Sequence, residues 1–263
     1  MAHVTAPAVP TTSAQLTSGA GMPLLGFGTW QLHGSTAYEA TAAALAAGYR
    51  HLDTATMYGN ETEVGAARRD SGVARDEVFV TTKLPPDRAD RAAETLAASL
   101  AQLGVEAVDL WLVHWPPADS VAVWRAFVQA RDDGLAHDIG VSNYGLDELD
   151  ALTEATGVTP AVNQIRWSPK LFDADVLAGH RERGVVLEGY SALKGGTLDD
   201  PTITAIADRL ERTPAQVIIR WHLQQGTVVI PRSSDPVRIA SNADVDGFTL
   251  TEQDVAALDA LGG

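Results

Sequence analysis

Eight short runs of β-branched and aromatic residues recur along the chain, and this recurrence constrains the fold more than any other feature. Ala- and Leu-rich segments with helical spacing separate the runs, which begin at intervals of about 20 to 40 residues, as βα units do. Eight such units without a linker between them predict an α/β protein with one (β/α)8 TIM barrel. The runs are LLGFGTW (24–30), YRHLDT (49–54), VFVTTKL (78–84), VDLWLVHW (108–115), DIGVSNY (138–144), AVNQIRW (161–167), VVLEGYSAL (185–193) and TVVIPRS (227–233).

The N-terminal segment predicts a closing element for this barrel. AQLTSGAGMPLLG (14–26) carries a Ser-Gly-Ala-Gly turn between two short apolar runs, so we expect a β-hairpin that closes the bottom of the barrel. Residues 1–15 are rich in Ala, Thr and Pro and predict a loosely ordered tail, which leaves 16–263 as a single domain. An open doubly wound sheet would need a glycine fingerprint that opens a helix, whereas GFG (26–28) is followed by TWQL.

Composition and charge exclude several classes of function. The chain has no cysteine, which excludes thiolate zinc sites, disulfides and cysteine nucleophiles, and we expect no metal. A formal net charge of −15 disfavours nucleic acid and anionic membranes as partners. The chain shows neither an apolar run of roughly 18 residues nor the pattern of a signal peptide. A cytoplasmic protein is therefore expected.

Three neighbouring runs end in titratable residues. Asp53, Lys83 and His114 close the second, third and fourth runs, and Tyr58 lies in the loop after Asp53. Each residue alone has an ordinary explanation as a turn, rim or packing residue. Because catalytic groups of barrels lie at the carboxyl ends of adjacent strands, the combination predicts one proton-handling site.

The chemistry of this site suits protonation of a substrate oxygen. Tyrosine has a pKa of about 10, and a neighbouring ammonium lowers it, so Lys83 is expected to make Tyr58 a better acid. Asp53 would keep Lys83 charged, and His114 would hydrogen-bond a carbonyl oxygen. Such a site can protonate the alkoxide that forms when hydride is delivered to a carbonyl.

The sequence resembles the aldo-keto reductases in seven motifs that occur in the order of that family. They are HLDTATMYGNETEVG (51–65), TTKL (81–84), LVHWP (112–116), IGVSNY (139–144), VNQI (162–165), GYSAL (189–193) and IPRSSDPVRIASN (230–242). Among these enzymes it is most similar to bacterial carbonyl reductases that resemble diketogluconate reductases. The resemblance implies a monomer with a TIM barrel that reduces small carbonyl substrates with NADP(H). It also implies that Tyr58 is the proton donor and that Asp53, Lys83 and His114 complete the catalytic tetrad.

The resemblance further implies a cofactor site. Ser142, Asn143 and Gln164 would hold the nicotinamide carboxamide, and Tyr190 would stack on the ring. Arg232 and Arg238, with serines before a helix start, suit an anion and resemble the site for the adenosine 2′-phosphate, which favours NADP(H) over NAD(H). The full set of expected cofactor residues is Thr29, Trp30, Asp53, Ser142, Asn143, Gln164, Tyr190, Ser191, Leu193, Arg232, Ser233, Ser234, Arg238 and Asn242.

Three departures from the family pattern bear on cofactor and substrate. Arg232 stands where a lysine is usual, and Ser241 stands where a glutamate is usual. The loop after His114 is short, and the chain stops at ALDALGG (257–263), so we expect an open pocket that accepts a broad range of small aldehydes, ketones or α-ketoesters. The expected apolar contacts for substrate are Trp30, Met57 and Trp115, whereas Trp111, Trp124 and Trp221 are expected to pack in the core.

Two other functions are compatible with the same residues. The barrel could bind or sense a nucleotide with little catalysis. Alternatively, Lys83 could form a Schiff base in a barrel lyase, which would require a depressed amine pKa; Asp53 beside it argues against this. A double-bond reductase is disfavoured because that subgroup is known for glutamate at the position of His114.

Overall fold

The computed structural model describes residues 12–262 and contains the predicted barrel. Residues 1–11 of the predicted tail lie outside the described residues. A hairpin comes first, formed by the antiparallel strands β1 (Ser13–Gln15) and β2 (Gly21–Pro23). The eight parallel strands that follow each overlap one predicted run: β3 (Phe27–Gly28), β4 (His51–Asp53), β5 (Phe79–Leu84), β6 (Val108–Val113), β7 (Ala136–Ser142), β8 (Val162–Arg166), β9 (Val186–Tyr190) and β10 (Val228–Val229).

The strands are ordered consecutively from β3 to β10, so that every strand pairs with its neighbour in sequence. The two edges meet through Leu24, Gly26 and Val229. The Gly26 amide donates to the Val229 carbonyl at 2.9 Å, and the Val229 amide donates to the Leu24 carbonyl at 2.8 Å. These bonds close the sheet into a barrel, and the (β/α)8 prediction is confirmed.

Helices connect the strands and cover the outside of the barrel. They are α1 (Gly34–Ala46), α2 (Glu61–Asp70), α3 (Ala92–Leu103), α4 (Ser120–Asp132), α5 (Leu146–Thr156), α6 (Ala174–Glu182), α7 (Pro201–Leu210), α8 (Pro214–Gln224), α9 (Pro236–Ala243) and α10 (Glu252–Asp259). Short 3-10 helices occur at Thr56–Tyr58, Arg75–Glu77, Pro86–Arg91 and Pro169–Leu171. None of the helices in residues 12–262 is long and apolar enough to cross a membrane.

The hairpin closes the bottom of the barrel, as predicted. Leu16, Met22 and Leu24 are buried in one apolar cluster with side chains from the barrel strands, among them Leu110 and Val162. Because β1 begins at Ser13, the last three residues of the predicted tail belong to this hairpin.

A larger apolar core fills the space between the barrel and its helices. Trp111, Trp124 and Trp221 are all buried there, which confirms their predicted packing role. Trp111 stacks on Phe127 with ring centroids 3.6 Å apart. This core packs the helices against the strands. The carboxyl ends of the strands lie outside it and are available to form a site.

Candidate active site

A cleft of about 930 Å³ opens at the carboxyl ends of the strands, a volume near the upper end for small-molecule sites. Most of the predicted site residues line it: Trp30, Asp53, Met57, Tyr58, His114, Trp115, Ser142, Asn143, Gln164, Tyr190, Ser191, Leu193, Arg232, Ser233, Ser234, Arg238 and Asn242. The other two predicted residues, Thr29 and Lys83, are fully buried behind the wall of the cleft.

Lys83 is the centre of the hydrogen bonding at the floor of the cleft. Its ammonium donates to Asp53 Oδ1 at 2.7 Å, to the Thr54 carbonyl at 2.8 Å and to the Tyr58 hydroxyl at 3.5 Å, which uses all three of its protons. Burial alone would lower the pKa of Lys83, but Asp53 and Tyr58 outweigh it and raise this pKa above its ordinary value. An amine held protonated in this way is unsuited to Schiff-base formation.

Asp53 is held on both sides. Its second carboxylate oxygen, Oδ2, accepts a hydrogen bond from Gln164 Nε2 at 2.8 Å, and its backbone carbonyl accepts one from Thr29 Oγ1 at 2.9 Å. Two of the predicted cofactor residues, Thr29 and Gln164, therefore also position Asp53 in this structure.

Tyr58 lies at the end of the 3-10 helix Thr56–Tyr58, with its hydroxyl above Lys83. Gly59 follows with φ of +64°, a left-handed conformation that ends the helix at no steric cost. Burial raises the pKa of Tyr58, and although Lys83 acts in the opposite direction, the net shift is upward. Lys83 therefore acts on Tyr58 in the predicted direction, but desolvation of the tyrosinate is the larger effect and was not predicted.

His114 is a neutral imidazole at the edge of the cleft. Burial, and then the charge of Lys83, lower the pKa of His114 to about 2. Its ring lies edge-on to Tyr58 with centroids 5.7 Å apart, and it stacks on Trp115 with centroids 4.4 Å apart. Within the described part of the chain its Nδ1 has no hydrogen-bond partner. A neutral histidine beside Tyr58 can donate one N–H to a substrate oxygen.

The residues predicted to hold a carboxamide form one connected network. Asn143 Nδ2 donates to the His114 carbonyl at 3.1 Å and to Ser142 Oγ at 3.0 Å, and Asn143 Oδ1 accepts from the Tyr190 hydroxyl at 2.8 Å. Ser142 Oγ donates to the Gln164 carbonyl at 2.7 Å. The ends of β6 to β9 are thus joined by side chains at the rim of the cleft.

Three non-glycine residues near this rim adopt left-handed backbone conformations. They are Gln31, Asn143 and Ser191, with φ of +60°, +64° and +55°. Asparagine tolerates this region, but glutamine and serine adopt it at a cost of roughly 1–3 kcal/mol each. Such strain tends to concentrate at ligand sites, which is consistent with a binding role for these loops.

The basic end of the cleft is formed by the segment before α9 and by the first turn of α9. Arg232 is exposed, and its guanidinium donates to Gln31 Oε1 at 3.3 Å. Arg238 Nε lies 3.5 Å from Asp235 Oδ2, and Ser233 Oγ accepts from the Asp235 amide at 3.1 Å. Both arginines are presented to solvent at the rim, where an anionic group can reach them.

The loop between β9 and α7 and the start of α8 contribute lining residues that were not predicted. They are Lys194, Leu198, Asp199, Thr213, Pro214 and Ala215. Lys194 Nζ lies 4.1 Å from the ring centroid of Trp30, so that this loop contacts the opposite wall of the cleft. The one available signal was that Lys194 is among only three lysines in an arginine-rich chain.

Comparisons with known proteins agree on one family. The family model described as "Aldo/keto reductase family" matches residues 24–262. An aldo-keto reductase of Mycolicibacterium vanbaalenii is 48% identical over 246 residues, which cover 91% of this chain and 88% of the relative. The crystal structure of an aldo/keto reductase from Brucella melitensis superposes with a TM-score of 0.92 at 40% identity and covers 96% of this chain and 99% of its own. A Bombyx mori aldo-keto reductase solved in complex with NADP superposes with a TM-score of 0.88 at 32% identity, covering 97% and 93% of the two chains.

Proposed function

The chain belongs to the aldo/keto reductase family, and from that premise we propose that it reduces small aldehydes and ketones to alcohols with NADPH. The observation that carries this proposal is the Lys83 ammonium, which bridges Asp53 at 2.7 Å and the Tyr58 hydroxyl at 3.5 Å at the floor of the cleft. NADPH, when bound, supplies the hydride. The protein must then bind the carbonyl oxygen and give it a proton.

Tyr58 is the proposed proton donor. Its hydroxyl faces the cleft, and Lys83 behind it stabilises the tyrosinate left after proton transfer. His114, which is neutral, is the proposed hydrogen-bond donor that orients the carbonyl oxygen beside Tyr58. Asp53 keeps Lys83 protonated and fixed.

The residues of the cleft fit a phosphorylated nicotinamide cofactor. Tyr190 offers a half-buried ring beside the Asn143 and Gln164 amides, and Arg232 and Arg238 place positive charge at the far rim. Two guanidinium groups suit a phosphate monoester, and they support NADPH over NADH. The NADP bound to the Bombyx mori relative is consistent with this choice.

The apolar rim supports broad substrate acceptance. Trp30, Met57 and Trp115 are 44%, 56% and 41% exposed, so each can cover a substrate without enclosing it. We infer weak binding of small carbonyls and little discrimination among them. A kinetic survey that finds one carbonyl preferred by several orders of magnitude in kcat/KM would exclude this breadth.

The test is NADPH consumption with a panel of aldehydes, ketones and α-ketoesters for the wild type and Tyr58→Phe. Loss of the general acid is expected to lower kcat by roughly 100-fold to 10,000-fold. Tyr38→Phe is the matched control, because the Tyr38 hydroxyl bonds Asp70 on the outside of the barrel.

The outcomes separate the alternatives. Full activity in Tyr58→Phe would exclude the proposed acid. A wild-type protein that quenches or enhances NADPH fluorescence on binding, but reduces none of the panel, would favour the nucleotide-sensing function. Borohydride trapping of a carbonyl substrate on Lys83 would favour the lyase.

A further inference from the structure

Glu61 is a buried carboxyl group on the side of β5 that faces away from the cleft. It begins α2 and is only 1% exposed, although glutamates are rarely buried without partners. Its Oε1 lies 2.6 Å from Thr82 Oγ1, and its Oε2 lies 3.1 Å from Ser99 Oγ on α3. Thr82 and Lys83 are consecutive in the strand, so their side chains point to opposite faces.

A chain of hydrogen bonds runs from Glu61 to the catalytic floor. Ser99 Oγ lies 3.1 Å from Thr56 Oγ1, and Thr56 Oγ1 lies 3.0 Å from the carbonyl oxygen of Lys83. Thr56 is the first residue of the 3-10 helix that carries Tyr58. These hydrogen bonds therefore connect the 3-10 helix that carries Tyr58 to the backbone of Lys83.

The number of protons in this chain identifies the state of Glu61. Four oxygen–oxygen contacts of 2.6 to 3.1 Å connect the five residues, but the three hydroxyl groups supply one proton each. A carbonyl and an ionised carboxylate can only accept. With Glu61 ionised, one contact would bring two lone pairs together. A proton on Glu61 Oε2 fills all four contacts: Glu61 donates to Ser99, Ser99 to Thr56 and Thr56 to Lys83, while Thr82 donates to Oε1.

The surroundings of Glu61 agree with a protonated carboxyl. Burial raises its pKa, and this outweighs the opposing hydrogen bonds from Thr82 and Ser99 and the more distant charges of Lys83 and Arg88. Lys83 lies on β5, and Arg88 lies in the 3-10 helix before α3; these are the two cations that act on the Glu61 carboxyl group. Gly65 makes the close approach of α2 and α3 possible, because a Cβ at this position would collide with the carbonyl of Leu103.

We propose that Glu61 is a positioning residue that stays protonated and, through Ser99 and Thr56, holds Tyr58 against Lys83. The catalytic half of this statement rests on the proposed function, whereas the protonation state and the position of Tyr58 do not. Loss of these hydrogen bonds releases Thr56 and lets the 3-10 helix Thr56–Tyr58 move away from β5. Misplacement of a reacting group by about 1 Å can cost on the order of 100-fold in rate.

The first arm of the test detects the proton directly. Infrared difference spectra between the wild type and Glu61→Gln at neutral pH are expected to show a protonated carboxyl band that the variant lacks. Glu188→Gln assigns the band of the other buried glutamate by the same subtraction. A Glu61→Gln spectrum that loses only carboxylate bands would overturn the proposal. The amide of the Glu61→Gln variant can still accept from Thr82 and donate to Ser99, so its kcat is expected to stay within about threefold of the wild type.

The second arm measures the position of Tyr58 without using turnover. Ser99→Ala breaks the chain in its middle. The ionisation of Tyr58, followed as tyrosinate absorbance by subtracting the Tyr58→Phe protein, is expected to shift away from the wild-type midpoint in Ser99→Ala, because movement of the 3-10 helix changes both the burial and the attraction of Lys83 that set this pKa. NADPH affinity should be unchanged and kcat should fall about 10-fold to 100-fold. Ser71→Ala is the control, since Ser71 bonds Arg68 at the far end of α2.

The two failures are distinguishable. A Tyr58 titration and kcat in Ser99→Ala that match the wild type would refute the positioning role. If the wild type reduces no carbonyl at all, the proposed function fails, but the carboxyl band and the Tyr58 titration still decide whether Glu61 holds the proton and positions the tyrosine.

Discussion

The strongest quantitative prediction concerns the buried ion pair of Asp53 and Lys83. Lys83 Nζ and Asp53 Oδ1 are 2.7 Å apart, with side chains 0% and 2% exposed. At an effective dielectric constant of about 20, two unit charges at this distance attract by roughly 6 kcal/mol. Much of this offsets the cost of removing both charges from water, so the pair is a weak source of net stability. Removal of only one partner is strongly destabilising, because it leaves the other charge buried without a counter-ion.

Lys83→Met is therefore expected to lower the free energy of unfolding by about 3–5 kcal/mol. The lower end is expected here, because Gln164 Nε2 still donates to Asp53 Oδ2 at 2.8 Å. Asp53→Asn should lower the free energy of unfolding by a similar amount, since it leaves the buried Lys83 ammonium without its counter-ion. The double variant leaves no buried charge at this position, so it should be more stable than the sum of the single losses predicts, by at least about 2 kcal/mol.

The assay is urea unfolding of the four proteins at neutral pH, followed by tryptophan fluorescence and circular dichroism with a common m-value. The same cycle on the partly exposed pair of Asp150 and Arg183, which is joined by two hydrogen bonds, is the control and should show far weaker coupling. Additivity of the Asp53 and Lys83 losses within about 0.5 kcal/mol would refute the account of an isolated buried charge.

Arg238→Ala should raise the dissociation constant of NADPH by roughly 10-fold to 100-fold and leave that of NADH nearly unchanged, as measured by fluorescence titration; equal losses for both cofactors would place Arg238 outside a 2′-phosphate site. Gly65→Ala should lower the free energy of unfolding by about 1–3 kcal/mol in urea, because its Cβ meets the Leu103 carbonyl. Burial and then Asp53 raise the pKa of Glu188 to about 8, whereas an unfolded glutamate titrates near pH 4.3. The native protein therefore binds the extra proton, and the free energy of unfolding should fall between about pH 4.3 and 8 relative to Glu188→Gln; parallel pH profiles for the two proteins would contradict this.

The barrel and the floor of its cleft could be predicted because their signals are local. Each strand is a short apolar run, and Asp53, Lys83 and His114 are polar residues placed where those runs end. The rule that catalytic groups collect at the carboxyl ends of barrel strands then brings the three together without any knowledge of distances. The hairpin was equally readable from one turn between two apolar runs.

The two buried glutamates, Glu61 and Glu188, were missed for different reasons. Glu188 lies inside β9, and a charged residue in the middle of a buried strand is visible in the sequence, but it lies away from the strand ends where catalytic groups of barrels collect. Glu61 gave no signal, because it is one of two acidic residues in the first turn of an ordinary helix. Its partners Thr82 and Ser99 are 21 and 38 residues away in sequence, and only tertiary packing brings their hydroxyls to it.

The upward shift of the Tyr58 pKa changes how the proposed proton transfer works. A tyrosine that holds its proton more tightly than usual protonates a ground-state carbonyl oxygen poorly, since that oxygen is a very weak base. An alkoxide is a far stronger base than a tyrosinate, so the same proton moves downhill once hydride has arrived. Lys83, 3.5 Å from the hydroxyl, stabilises the tyrosinate only after the proton has left, and low dielectric strengthens that attraction at the same time as it disfavours early ionisation. Of the two effects, burial opposes ionisation of Tyr58 in the resting enzyme, whereas the ammonium favours the negative charge that develops on the tyrosine oxygen as the proton leaves. The attraction of Lys83 is therefore stronger in the transition state than in the ground state, which is the condition for an interaction to raise kcat.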